Sequence, residues 1–124
     1  YATLNKPPFN PPNWLFGPVW TTLYILMGIA AAIVWEEKNK KKQRKKGLIL
    51  FGIQLVLNVL WSIVFFAFQA PIAACVLVVA LWAFIFLSIR AFLPISKTAG
   101  YLLLPYLAWV SFASILNFSI AWLN

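Results

Sequence analysis

The stretch IAACVLVVALWAFIFLSIRAF, from Ile72 to Phe92, is apolar almost throughout and contains one charged residue, Arg90. Roughly 20 helical residues cross the hydrocarbon core of a bilayer, so this stretch predicts a transmembrane helix over residues 72–92. Similar apolar stretches occupy residues 14–35, 47–68 and 99–123. The sequence therefore predicts an all-α fold, a polytopic helical membrane bundle with four transmembrane helices in a single domain, residues 1–124.

The composition agrees with an integral, multi-pass membrane protein. Hydrophobic residues make up 64% of the chain and charged residues 10%, whereas soluble domains average about 45–50% and about 25%. The chain has no His, one Cys and two acidic residues, Glu36 and Glu37. A Ser-His-Asp triad, a Cys-His pair, a paired-carboxylate hydrolase site and a His/Cys zinc site are therefore excluded. We expect no metal site and no required cofactor, and we expect Cys75 to be a packing residue.

The net charge of +8 is concentrated between the first two predicted helices, because most of the basic residues lie between Lys38 and Lys46. This position favours a membrane loop over a surface for nucleic acid. The run falls on the same side of the membrane as Arg90 and Lys97, whereas Lys6 falls on the other. Since Lys and Arg are enriched in cytoplasmic loops, we predict that the 36–46 loop is cytoplasmic. Binding of anionic lipid head groups is an alternative role for these residues.

Polar and aromatic side chains recur at helical spacing inside three of the predicted helices. They are Trp20, Tyr24, Gly28 and Ala31; Gln54, Asn58 and Ser62, with Trp61 beside Asn58; and Tyr106, Trp109, Ala113 and Asn117. Polar groups in lipid lack water, so these faces should point into the bundle. Pro105 should distort the last helix one turn earlier.

Two roles remain open for these faces. The side chains either hydrogen-bond neighbouring helices and hold the bundle together, or they line a pocket for a flat apolar ligand. No ionisable side chain lies at the centre of a predicted helix, which disfavours ion-coupled transport. The absence of His disfavours haem coordination, so a metal-free porphyrin or a sterol-like molecule is the better candidate.

Long motifs, in order along the chain, resemble one membrane protein family. They are YATLNKPPFNPPNW (residues 1–14), FGPVWTTLYILMG (16–28), QLVLNVLW (54–61) and LPYLAWVSFASILN (104–117). Together they are similar to the TspO/MBR family, which comprises the tryptophan-rich sensory proteins and the mitochondrial translocator proteins. The resemblance implies a five-helix bundle, usually a homodimer, of which this chain would carry the last four helices. It also implies binding of tetrapyrroles such as protoporphyrin IX, and in animal members binding of cholesterol and benzodiazepine-type drugs.

Carried over by motif, the resemblance places ligand-binding residues on three helices, beneath a lid formed by the Pro-rich segment 1–13. These residues are Phe16, Gly17, Val19, Trp20, Tyr24, Asn58, Trp61, Trp109, Ala113, Leu116 and Asn117. The expected function is a receptor that senses or regulates a tetrapyrrole or similar apolar ligand, with membrane lipid and a second copy of the chain as further partners. The alternatives are light- and oxygen-dependent porphyrin degradation, in which Trp20 and Trp109 would participate, transport of the ligand, and a purely structural membrane subunit.

Overall fold

A computed structural model describes residues 13–68 and 70–123, with no description of the Asn13 and Trp14 side chains. Within these ranges the chain forms helices and no strand. The helices are α1 (Asn13–Trp35), α2 (Lys41–Ser62), a π-helical segment (Ile63–Ala67), α3 (Pro71–Phe92), α4 (Lys97–Leu102) and α5 (Leu104–Leu123). The predicted all-α fold is therefore confirmed. The predicted lid lies outside the described residues except for Asn13.

Among the described residues, four helical stretches are long and apolar enough to cross a membrane. They are Leu15–Trp35, Lys41–Ala67, Pro71–Phe92 and Lys97–Leu123. They correspond one to one to the four stretches predicted from hydropathy, and their length and composition support an integral membrane protein. Helix α3 packs against both α2 and α5, while α1 packs against α2 and α4.

The second helix begins at Lys41, several residues before the predicted start at 47. Most of the basic run, predicted as a loop, therefore forms the first turns of α2. The physical reason is that Lys and Arg are good helix formers, so a change in hydropathy marks the edge of the hydrocarbon and not the end of the helix. Lys40, just before α2, donates from Nζ to the carbonyl oxygen of Pro94 at 2.6 Å. This bond links the start of α2 to the turn that follows α3.

The last predicted span, 99–123, begins earlier and is divided at Leu103 into α4 and α5. Pro105 has no N–H to donate to the carbonyl of Tyr101, so the regular helix cannot continue through this turn. The Leu103 N–H instead bonds to the Gly100 carbonyl at 3.2 Å, and Leu107 resumes the α-helical pattern by donating to Leu103 at 3.0 Å. The distortion predicted before Pro105 is confirmed.

The buried face of α1 differs from the predicted stripe. Leu23, Met27, Ala30 and Val34 are the buried residues of this helix, whereas Tyr24 and Gly28 are exposed. A Cβ built on Gly28 would have no neighbour within 4 Å among the described atoms. The hydropathy of α1 is nearly uniform around its axis, so the pattern of apolar residues could not determine its rotation.

Candidate functional site

Trp20 lies at the centre of a group of aromatic rings from three helices, which we call the aromatic cluster: Trp20, Tyr24, Trp61, Tyr106 and Trp109. The Trp20 ring centroid lies 5.7 Å from that of Tyr24, 6.2 Å from Trp61, 6.3 Å from Tyr106 and 6.5 Å from Trp109. These separations fall within the range in which aromatic pairs attract each other beyond simple burial. The cluster thus joins α1, α2 and α5 through one central indole.

Two phenylalanines extend the cluster. Phe16 of α1 lies 5.9 Å from Trp109 and 6.2 Å from Phe66, centroid to centroid. Phe66 in turn makes an edge contact with Trp61 at 5.9 Å. Phe66 belongs to the π-helical segment, in which wider turns change the direction of side chains. As a result both Phe65 and Phe66 contact the Trp61 ring, the former stacked at 5.5 Å.

Beside the rings, hydrogen bonds connect the same three helices. The Tyr24 hydroxyl donates to Asn58 Oδ1 at 2.7 Å, and Asn58 Nδ2 donates to the Tyr106 hydroxyl oxygen at 2.7 Å. The Tyr106 hydroxyl donates to Gln54 Oε1 at 2.6 Å, and Gln54 Nε2 contacts Met27 Sδ at 3.9 Å. Gln54, Asn58 and Tyr106 are buried. Since every polar group in this network has a partner, the network stabilises the bundle. This agrees with the role of holding neighbouring helices together.

A second set of bonds centres on Asn117, which is fully buried on α5. Trp61 Nε1 donates to Asn117 Oδ1 at 2.9 Å. Asn117 Nδ2 donates to the Pro71 carbonyl at 2.8 Å and also approaches Cys75 Sγ at 3.3 Å. The amide therefore joins α2 and α5 to the first turns of α3.

Trp109 differs from these residues, because its indole N–H is buried and has no hydrogen-bond acceptor in the described part of the chain. A buried donor without an acceptor costs about 1–3 kcal/mol. The ring itself is well packed, lying 5.5 Å from Phe112 and against Phe16 and Trp20. Within the described ranges, the cluster thus contains one buried polar atom, Trp109 Nε1, that has no hydrogen-bond partner.

The structure brings most of the eleven sequence-predicted residues together. Phe16, Trp20, Tyr24, Asn58, Trp61 and Trp109 contact one another through rings or hydrogen bonds, while Val19, Ala113, Leu116 and Asn117 lie at least partly in the core. Trp20 and Trp109, the two residues expected to participate in porphyrin degradation, are in edge-to-face contact. Gly17 is the exception: it is exposed, and a Cβ built on it would meet no described atom within 4 Å.

The ligand-binding residues predicted from the sequence did not include Tyr106, Gln54 or Phe66. Tyr106 and Gln54 lie on the polar and aromatic faces recognised in the sequence, so the signal was present. Phe66 reaches the cluster through the π-helical segment, which helical periodicity does not predict. Ser62, expected on the face of Gln54, is only half-buried. Each four-residue step rotates the side chain about 40° beyond a full turn, so Ser62 has rotated about 80° away from Gln54. Trp61, which lies closer in angle to Gln54, is buried instead.

Comparison with known proteins agrees with this architecture. The family model described as the TspO/MBR family matches residues 1–123. The tryptophan-rich protein TspO of Chlorobaculum tepidum is 55% identical over the whole chain, which covers 78% of that protein. The tryptophan-rich protein TspO of Archaeoglobus fulgidus is 51% identical over the whole chain, which covers 79% of it. The human translocator protein is 36% identical over 123 residues, covering 72% of its length. The chain is an integral membrane protein and belongs to the TspO/MBR family.

Proposed function

We propose that this chain is a membrane receptor that binds a tetrapyrrole, or a similarly flat apolar ligand, at the aromatic cluster and thereby senses its level. The observation that carries the proposal is the buried indole N–H of Trp109, which has no acceptor among the described residues and lies in a group of aromatic rings. Rings of this size stack on flat conjugated molecules, and a few polar groups among them orient the ligand. The name of a relative from Cereibacter sphaeroides, tryptophan-rich sensory protein, supports the sensory part of the proposal.

Protoporphyrin IX matches the chemistry of these residues. Its macrocycle is flat and apolar, and its two carboxylates accept hydrogen bonds. An acceptor on the ligand would satisfy the Trp109 N–H, so binding would remove the cost of leaving that donor unpaired. The side chains of Phe16 and Trp20 would contact the faces or edges of the ring.

The test is a titration of the detergent-solubilised protein with protoporphyrin IX, followed by tryptophan fluorescence. We expect saturable quenching, and Trp109→Ala should weaken the affinity more than about tenfold, equivalent to about 1.4 kcal/mol. Trp122→Ala is the matched control, because Trp122 lies at the far end of α5 and is 89% exposed. Equal affinities for the two variants would contradict the proposed location. An absence of quenching in folded protein would contradict tetrapyrrole binding itself.

The contact between Trp20 and Trp109 favours a second candidate function, the oxidation of a bound porphyrin in light and oxygen. A photoexcited porphyrin can take an electron from an adjacent indole and pass it to O2 as superoxide, and the indole radical cation then recovers an electron from the porphyrin. The net change is one electron from porphyrin to O2, after which superoxide adds to the oxidised macrocycle; this chemistry needs neither His nor carboxylate. The double variant Trp20→Phe with Trp109→Phe should then lower the yield of oxidised product per bound porphyrin. The same yield from the variant and the wild type under equal illumination would rule out this candidate.

A further inference from the structure

A cleft of about 400 Å³ lies on the outer surface of the bundle, between the middle parts of α3 and α5. It is lined by Val79, Trp82, Ser111, Ser114 and Ile115. Trp82 Nε1 donates to Ser111 Oγ at 2.8 Å, and both serine hydroxyls donate to carbonyl oxygens of their own helix. Because these polar groups already have partners, the cleft offers an apolar lining to an occupant.

The cleft lies on the side of the bundle away from α1. Helix α3 packs against α2 and α5, whereas α1 packs against α2 and α4. Consecutive helices are usually neighbours in space, so the further helix that the family resemblance implies before α1 belongs beside α1. The surface between α3 and α5 therefore faces the membrane.

One end of the cleft continues into a row of three side chains along α3, which we call the α3 row: Trp82, Phe86 and Arg90. The Trp82 and Phe86 rings stack with centroids 5.7 Å apart and an angle of 4° between their planes. The Arg90 guanidinium lies 6.0 Å from the centroid of the Phe86 ring. Since the hydrogen bond to Ser111 fixes the first ring, the row is an ordered apolar wall that ends at a cation.

The α3 row has the length of one membrane leaflet. Trp82 and Arg90 are eight residues apart, which corresponds to about 12 Å along the helix axis. Half of the hydrocarbon core of a bilayer is about 15 Å. Arg90 is exposed in the last turn of α3, where an Arg side chain reaches the membrane interface. The cleft beside Trp82 then lies near the middle of the bilayer.

We propose that the α3 row and the cleft bind one anionic phospholipid. Arg90 would contact the phosphate, because a planar guanidinium donates two parallel hydrogen bonds to phosphate oxygens. One acyl chain would lie along Phe86 and Trp82 and end in the cleft. Charge complementarity selects this occupant over a second copy of the chain. The two acidic residues of the chain, Glu36 and Glu37, lie between α1 and α2, so a copy packed through the same surface would bring no carboxylate side chain to Arg90.

The charged end is tested by native mass spectrometry of the full-length protein, extracted from vesicles of equal parts phosphatidylglycerol and phosphatidylcholine. We expect one retained phosphatidylglycerol per chain, with at least about a fivefold preference over phosphatidylcholine. Arg90→Gln should lose this preference. The control Lys42→Gln removes the same charge at an exposed position on α2 and should keep it. Equal loss in both variants would overturn the proposal in favour of diffuse charge attraction, and displacement of the lipid by inorganic phosphate would overturn it in favour of a free anion.

The cleft is tested with Val79→Trp, for which Val76→Trp is the matched control. Both valines are exposed on α3 one turn apart, at 55% and 73%, and Val79 lines the cleft whereas Val76 does not. The new indole at position 79 should fill the cleft and remove the bound phosphatidylglycerol, while both variants keep the wild-type melting temperature.

Two results of this second experiment would overturn the proposal. Retention of phosphatidylglycerol in Val79→Trp would show that the acyl chain does not occupy the cleft. A lipid-free complex of two wild-type chains that Val79→Trp disrupts would assign the surface to a second copy. Neither experiment uses protoporphyrin, so both results are independent of the proposed receptor function.

Discussion

Tyr106 joins α5 to α2 through two hydrogen bonds of its buried hydroxyl. Its hydroxyl accepts from Asn58 and donates to Gln54, and the ring packs edge-on against Trp20. Tyr106→Phe keeps the ring but leaves two buried amide groups short of a partner. We expect the free energy of unfolding to fall by about 1–2 kcal/mol, measured as a lower melting temperature in detergent.

Tyr101→Phe is the matched control for this change. Tyr101 is 56% exposed, so removing its hydroxyl should leave the melting temperature within error of the wild type. If both variants melted at the wild-type temperature, the network would carry no measurable stability, and its role in holding the bundle together would be wrong.

Trp61→Phe and Trp109→Phe can be compared, because only one of the two indole N–H groups donates a hydrogen bond in the described structure. The Trp61 N–H donates to Asn117 at 2.9 Å, whereas the Trp109 N–H has no acceptor in the described residues. Trp61→Phe should therefore lower the ligand-free stability by about 1 kcal/mol more than Trp109→Phe does. Thermal denaturation of the two ligand-free variants measures the difference, and a larger loss for Trp109→Phe would contradict the unpaired state of its N–H.

At the scale of the element, the prediction of helix faces succeeded for α5 and only in part for α1, where Trp20 and Tyr24 contact the other helices but Gly28 is exposed. On α5, Tyr106, Ala113 and Asn117 are buried. The polar side chains of Tyr106 and Asn117 find no water in the membrane, so they must find hydrogen-bond partners inside the bundle. On α1 the residues of the predicted face are apolar or aromatic. The free energy of such a side chain differs little between the protein interior and the lipid. Polar residues therefore determined the rotation of α5, whereas on α1 the Tyr24 hydroxyl has a partner on α2 and packing of apolar side chains determines the rest.

The two glycines Gly100 and Gly52 lie in helices but in opposite surroundings. A Cβ on Gly100 would lie 2.7 Å from Leu93 Cγ and 3.4 Å from Leu93 Cα, whereas one on Gly52 would meet nothing within 4 Å. Gly100→Ala should therefore force α4 away from the end of α3 and cost about 1–3 kcal/mol. Gly52→Ala should be neutral or stabilising by up to about 1 kcal/mol, through helix propensity. Melting temperatures of the pair measure both effects, and equal values would show that α4 does not pack closely on Leu93.

At the scale of the whole molecule, a true ligand stabilises the folded bundle by mass action. At a free concentration 100 times Kd, protoporphyrin IX should add about 2.7 kcal/mol to the free energy of unfolding. This gain should be lost in Trp109→Ala and kept in Trp122→Ala. A wild-type melting temperature that does not change with porphyrin concentration would favour the structural-subunit alternative.

The orientation of the bundle remains a prediction from its charge asymmetry. Single cysteines placed at Lys42 and Phe68, at opposite ends of the second span, would report the two sides in a Cys75→Ala background. In intact bacterial cells, a membrane-impermeant maleimide should label Phe68→Cys and not Lys42→Cys. The reverse pattern would place the basic end outside the cytoplasm.

Hydropathy predicted the number of spans because the length of a transmembrane helix is set by the bilayer. It did not predict the helical start of α2 at Lys41, where charged residues continue a helix into the interface. The residues of the cluster were identified through motif resemblance and polar spacing. Phe66 was not, since its position depends on the wider turns of the π-helical segment.

The hydrogen bonds of Arg44 and Lys40 have a mechanical consequence for the cluster. Arg44 holds the C-terminal end of α1, and Lys40 holds the turn after α3, so both attachments lie at the basic end of the bundle. Phe16 lies 19 residues from Trp35, about 29 Å along the axis of α1. A tilt of about 5° around the attached end moves Phe16 by about 2.5 Å over that length. A small tilt of α1 at its attached, basic end would therefore change the contact between Phe16 and Trp109 at the opposite end of the helix.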